Sequence, residues 1–142
     1  MKNGKQILSA ILKTTQLGQT GIRSVLDTSM RPGLRKTLET QLREYDALER
    51  EAHSIASRRG WELRDLDPAV RMMTDFKSRM QLRHSNTDSK IASMMIQENT
   101  KAMIQGLKLI HQYPESDLQI NVLSQKLLDC ETANIRQMQP FL

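Results

Sequence analysis

Apolar residues recur at three- and four-residue intervals along most of this chain, which is the spacing of one face of an α-helix. Leu8, Leu12, Thr15, Gln19, Ile22 and Leu26 form the first such face and predict a helix from Lys5 to Asp27. Leu34, Leu38, Leu42, Tyr45, Leu48, Ala52 and Ile55 predict a second from Pro32 to Arg59. Val70, Met73, Phe76, Lys77 and Met80 give one largely apolar side to a shorter helix that opens at Pro68. Ile91, Met95, Glu98, Ala102, Gln105 or Gly106, and Leu109 mark a third long helix from Thr87 to Gln112. Ile120, Leu123, Leu127, Cys130 or Glu131, Asn134 and Met138 mark a fourth from Asp117 to Gln139, which Pro140 ends.

The breaks between these segments carry helix-terminus chemistry. Thr28 or Ser29 is placed to cap the second helix, with Pro32 in the first turn, where a missing N–H costs nothing. Arg58 and Arg59 put cations near the negative end of that helix, and Gly60 supplies the left-handed cap. Trp61 is expected to fold back over the last turn. Asp67 and Pro68 read as N-cap and first residue of the short helix, and Ser116 as the cap of the last one. Gly18 and Gly21 weaken the first helix by about 1 kcal/mol each relative to Ala, a cost that implies close helix contact there. Four long helices with short turns, and a short extra helix in the crossover between the second and third, predict an all-α four-helix bundle spanning 1–142 as one domain.

Composition agrees with helix. Aromatic residues are 4 % of the chain, Gly and Pro number 6 and 4, and Met numbers 9. The lone Cys130 excludes an intrachain disulfide framework and fits a reducing, cytoplasmic setting. No apolar stretch is long enough for a membrane span, and the run from Ile7 to Leu12 is too short and polar for a signal segment. The net charge of +5 is uneven: residues 1–60 hold 11 Lys/Arg against 6 Asp/Glu, and the remainder balances. A basic first half offers a surface to nucleic acid or another acidic partner, although only Arg35-Lys36 and Arg58-Arg59 are adjacent cations.

Polar residues on the apolar stripes are the candidate chemistry. Glu98 and Glu131 fall where leucine is the easy choice, and Gln19, Tyr45, Glu49 and Asn134 lie on or beside the same inward faces. Glu98 sits about as far before the turn joining its helix to the next as Glu131 sits after it, so antiparallel packing predicts that the two meet. Inward carboxylates that close need a cation, a basic partner or water. Cys130 is expected to be a buried inert thiol, and His53, His84 and His111 show no ligand spacing. Met94 and Ile104 are placed on outer faces, where apolar side chains favour self-association.

These positions resemble the ferritin-like superfamily, whose bundles hold two metal ions with a Glu on each of two helices and a Glu-x-x-His on each of the others. Glu98 matches the single Glu of the third helix. Glu131-Thr-Ala-Asn134 matches a Glu-x-x-His slot with Asn in place of His. Gln19 or Gln16 stands where the first helix would carry Glu. Asp46-Ala-Leu-Glu49 and Glu49-Arg-Glu-Ala52 lack the second-helix His, and His53 is one position out of register. The segment Leu34 to Trp61, with its leucine-arginine start, acidic middle and glycine-tryptophan exit, is similar to spore coat protein F-like and related ferritin-like proteins of Firmicutes. The resemblance implies a ferritin-like four-helix fold in a bacterial, spore-associated protein.

The function expected is that of a non-catalytic bundle acting as a homo-oligomer or by binding a partner protein. Weak carboxylate binding of iron or manganese at Glu98 and Glu131, with Asn134, Gln19 and Glu49 as neighbours, is the second reading. Nucleic-acid binding through the basic half is the third.

Overall fold

The computed structural model describes residues 2–83, 87–112 and 117–142. Its helices are α1 (Lys2–Leu26), α2 (Pro32–Arg58), α3 (Pro68–Leu82), α4 (Asp88–Gln112) and α5 (Leu118–Met138), followed by a 3-10 turn at Gln139–Phe141. No strand occurs among the described residues. Helix boundaries fall within three residues of those the apolar spacing predicts. His84, the Ser85-Asn86 break and the Ser116 cap lie outside the described residues.

Helix termini follow local chemistry. Asp67 caps α3, its carboxylate accepting from Ala69 N at 2.8 Å, and Pro68 follows it. Asp117 caps α5, accepting from Gln119 N and Ile120 N at 3.0 and 3.4 Å. The cap expected from Thr28 or Ser29 does not form. Arg31 is the N-cap of α2, extended as a residue before proline tends to be, and makes no side-chain cap bond. Thr28 contributes its carbonyl instead, accepting from Arg35 Nη2 at 3.0 Å. At the other end of α2, Gly60 takes φ 67°. Gly60 N donates to Ser57 O and Trp61 N to Ala56 O at 3.2 and 2.9 Å, the paired bonds of a Schellman cap. Trp61 folds back onto the core as the sequence implies, and the Arg59 guanidinium lies 5.4 Å from its ring centre.

The four long helices pack as a closed ring, α1 on α2, α2 on α5, α5 on α4 and α4 on α1. Cross-helix bonds give the directions. Gln16 and Gln19 of α1 reach Glu49 and Asp46 of α2. Gln41, Tyr45 and Glu51 of α2 meet Gln137, Asn134 and Lys126 of α5. Numbering rises on one helix as it falls on the other, so both pairs are antiparallel. α4 and α5 are likewise antiparallel, since Asn99 and Met103 meet Asn134 and Thr132. α2 and α4 must then point the same way, and α3 with the segment before it carries the chain back along the bundle.

α3 makes that return alongside α1. Asp65, before α3, accepts from Gln16, and Arg79, near its end, pairs with Asp27. The two helices therefore run parallel. α3 sits inside out relative to its sequence pattern. It buries Ser78 and Leu82, whereas Val70, Met73, Phe76 and Met80 face outward together with Met72. Thr74 and Ser78 instead turn toward the α1 surface of Thr14, Leu17, Gly18, Gly21 and Ile22, and the larger apolar side chains of α3 stay outside.

α1 is the most enclosed helix, with Leu8, Leu12 and Val25 at zero exposure and Thr15, Gln16, Gln19 and Thr20 buried beside them. Its approach to α2 depends on Gly18. A Cβ at that position would lie 2.5 Å from Tyr45 Cζ, whereas one at Gly21 would meet nothing within 4 Å. Gly18→Ala should therefore lose about 1–3 kcal/mol in urea unfolding through overpacking against the Tyr45 ring. Gly21→Ala should gain up to about 1 kcal/mol from helix propensity.

Candidate functional site

A layer of polar side chains crosses the middle of the ring. Tyr45 Oη donates to Asn99 Oδ1 at 3.1 Å and accepts from Asn134 Nδ2 at 3.3 Å. Asn99 Nδ2 donates to Met95 O at 2.7 Å. Tyr45, Asn99 and Asn134 are all buried, so these bonds tie α2, α4 and α5 in one register. A second cluster joins α1 to α2: Gln16 Nε2 donates to Glu49 Oε2 and Asp65 Oδ1, both at 2.9 Å, and Gln19 Nε2 to Asp46 Oδ1 at 2.9 Å. Gln16 Oε1 accepts from Leu66 N, which anchors the crossover.

Glu131 lies in the interior, 1 % exposed, and neither of its carboxylate oxygens has a hydrogen-bond partner. Asn134, one turn further along α5, has an unpartnered buried Oδ1. Burial pushes the Glu131 carboxyl up to about 8. Burial and the nearby Glu131 raise the Tyr45 phenol well above its ordinary range.

Two cavities reach this carboxyl. The first, of about 220 Å³, lies between α1, α4 and α5, with mostly aliphatic walls that include Ile7, Ile11, Leu109 and Leu127. The second, of about 170 Å³, is bordered by Gly18, Gly21 and Tyr45 and by Thr74 and Ser78 of α3. Thr14, Ala102, Gln105 and Glu131 line both. The carboxyl is thus a common wall between two spaces.

The structure separates the residues read as a pair from sequence. Glu98 and Glu131 both border the second cavity, but Glu98 turns outward, 54 % exposed, with Lys101 Nζ 3.6 Å from its carboxylate. Its expected inward place is taken by Asn99. The register differs by one residue, about 100° of helix rotation, and Asn99 continues the Ile91 and Met95 stripe. Asn99 was not singled out by sequence, although it follows Met95 by four residues, and its amide satisfies both a backbone carbonyl and Tyr45. Gln19 and Asn134 are buried in the polar clusters as their stripes suggest, and Glu49 is half-buried on Gln16. Among the described residues no three His, Cys, Asp or Glu side chains come together to hold a metal ion.

Other candidates fall into place individually. Cys130 is half-buried, its Sγ 3.6 Å from Glu44 Oε2; burial first, then Glu44, pushes the thiol up to about 12, where it is a poor nucleophile. Met94, expected on an outer face, is 4 % exposed, whereas Ile104 is exposed. Of the adjacent cations in the basic half, Arg35 donates to Thr28 O, Arg58 to Ser54 O, and Arg59 pairs with Asp117. No helix among the described residues is long and apolar enough to cross a membrane.

The fold and its centre define an all-α helical bundle with a buried, unpaired carboxyl between two cavities. No family model and no curated protein matches the chain. Among solved structures it is similar to the crystal structure of a DUF305 fragment from Deinococcus radiodurans, with TM-score 0.75 and 13 % identity over 99 % of this chain and 95 % of that one. At that identity the likeness shows the fold alone. It also corrects the sequence resemblance: the matching structure belongs to a different family from the ferritin-like and spore coat protein F-like proteins. Of the two carboxylates matched to the ferritin-like metal ligands, Glu98 faces outward and only Glu131 is buried.

Glu131 has a consequence for stability. Its folded pKa is about 8 against an ordinary value of 4.5, so between these values the native state holds a proton that the unfolded chain has released. Stability is then greatest at low pH, falls as pH rises through that window, and levels off above it, by at most about 5 kcal/mol in all. Glu131→Gln removes this dependence. Urea unfolding of both proteins at pH 5, 7 and 9 should show the variant gaining on the parent as pH rises; a constant difference would refute the assignment.

Proposed function

We propose that this protein is a non-catalytic helical bundle that works by self-association through the outward face of α3. One observation carries the reading. Met72, Met73 and Phe76 are 73, 71 and 65 % exposed, and Val70 and Met80 extend the same surface, while the polar edge of their helix faces inward. With those exposures the five side chains present on the order of 500 Å² of surface, near the upper end of what a monomer leaves bare.

A second copy of the chain suits this face by area. Pairing across a twofold axis covers the patch once on each protomer, about 1,000 Å² in total, which is where specific interfaces begin. Lys77 on one side and the Arg79–Asp75 ion pair on the other flank the apolar residues and supply a polar rim of both signs. Met is well suited to such a surface because its unbranched side chain adapts to a partner.

Sedimentation equilibrium up to about 100 µM, where even a weak homodimer becomes populated, should give a mass of two chains or more. Met73→Lys with Phe76→Glu should give a monomer of unchanged helical circular dichroism, because neither side chain supports the bundle interior. A monomeric parent protein at the highest concentration would reject the reading.

A further inference from the structure

Both carboxylate oxygens of Glu131, a side chain that lines both cavities, are buried and lack a donor. Acceptors without donors ask for a ligand that brings N–H groups. The first cavity adds a second requirement, since most of its wall is aliphatic, with Ile7 and Ile11 of α1, Leu109 and Ile110 of α4 and Leu127 of α5, while Thr14, Gln105 and Ser124 add polar groups. Its volume of about 220 Å³ exceeds the ~150 Å³ that accommodates a benzene ring in an apolar protein cavity. We propose that this cavity is a binding site for a primary aliphatic amine of about six carbons, its chain between α1, α4 and α5 and its ammonium on Glu131.

The charges around the carboxyl fit that ligand. α2 brings Tyr45, a neutral phenol, and α1 brings Thr14. α4 brings Glu98 and Lys101, which are exposed and pair with each other. α3 brings Thr74 and Ser78 to the second cavity, and Cys130 is the neighbour on α5 itself. No cation among these residues neutralises Glu131 in the structure. An ammonium has three donors and carries the opposite charge, and charge-assisted hydrogen bonds are roughly twice as strong as neutral ones. A carboxylate ligand would instead place acceptor against acceptor. At neutral pH entry of the amine drives the Glu131 proton to solvent, and above about pH 8 the carboxyl is already ionised; either way the bound state is an ion pair within largely aliphatic walls.

The test is calorimetric titration of the full chain with n-hexylamine, 1-hexanol and hexanoate at about pH 9, where the amine is still protonated. Hexylamine should bind at one site per chain, at least tenfold tighter than hexanol, and hexanoate should not bind. Glu131→Gln keeps the shape of the side chain and should lower hexylamine to the affinity of hexanol while leaving hexanol unchanged. Ile11→Trp, which fills the cavity, should abolish both. No saturable hexylamine binding, equal binding of hexylamine and hexanol by the parent, or an amine preference that survives in Glu131→Gln would overturn the proposal. So would stoichiometric Mn²⁺ uptake lost in Glu131→Gln, if hexylamine does not displace the metal.

Discussion

A carboxyl group without a donor, enclosed by helices, constrains everything packed around it. Glu131 is as buried as the leucines of the same core, and an unpaired charge there would cost several kcal/mol. Raising its pKa to about 8 is how the fold tolerates the group near neutrality, because the protonated form needs only modest solvation. The Tyr45–Asn99–Asn134 bonds then fix where α2, α4 and α5 stand around it. A one-residue slip of any of these helices would break bonds that have no replacement in the interior. The polar layer therefore specifies register more than it adds stability.

α1 completes the arrangement from the other side. Its buried polar residues are satisfied with little demand on the core: Thr15, Thr20 and Ser24 bond to carbonyls of their own helix, and Gln16 and Gln19 to carboxylates of α2 and the crossover. Such a helix can touch the ring on one face and α3 on another without leaving orphan groups. Gly18 is the point where this closeness is greatest, since the Tyr45 ring occupies the space a side chain would need.

Helix positions were legible in the sequence because the 3.6-residue period, the Pro32 and Asp67-Pro68 starts and the Gly60 stop act locally. The direction of each face was legible where a whole stripe was apolar, as in Leu34, Leu38, Leu48 and Ile55. It was not legible where polar residues share the stripe. Glu98 and Asn99 are adjacent and both fall at helical spacing from Met95, three and four residues on, and the bonds of Asn99 to Tyr45 and Asn134 on other helices hold it inward. Glu131 had no adjacent competitor of that kind: Cys130 beside it is half-buried, and the carboxyl takes the inward place. α3 misleads for a different reason. Its periodicity is that of an amphipathic helix, and the ordinary rule turns the apolar side inward. In the fold it is Thr74, Ser78 and Leu82 that turn inward, with the methionines outside. The ferritin-like resemblance shared the misplacement of Glu98, and the likeness of the whole fold to a protein of a different family overturns it.

α3 links the two features that distinguish this bundle. Its inner edge, Thr74 and Ser78, walls the second cavity beside Glu131, and its outer edge carries Met72, Met73 and Phe76. Only Ser78 and Leu82 of the helix are buried, so its attachment to α1 rests on few apolar contacts, the bonds of Gln16 to Asp65 and Leu66 just before it, and the Arg79 pair with Asp27. Elements held this lightly sit at the low end of local stability. The inner edge of α3 borders the cavity that Glu131 lines, and water admitted on that side would solvate the carboxyl and remove the desolvation that raises its pKa, so the protonation of Glu131 depends on α3 keeping its place.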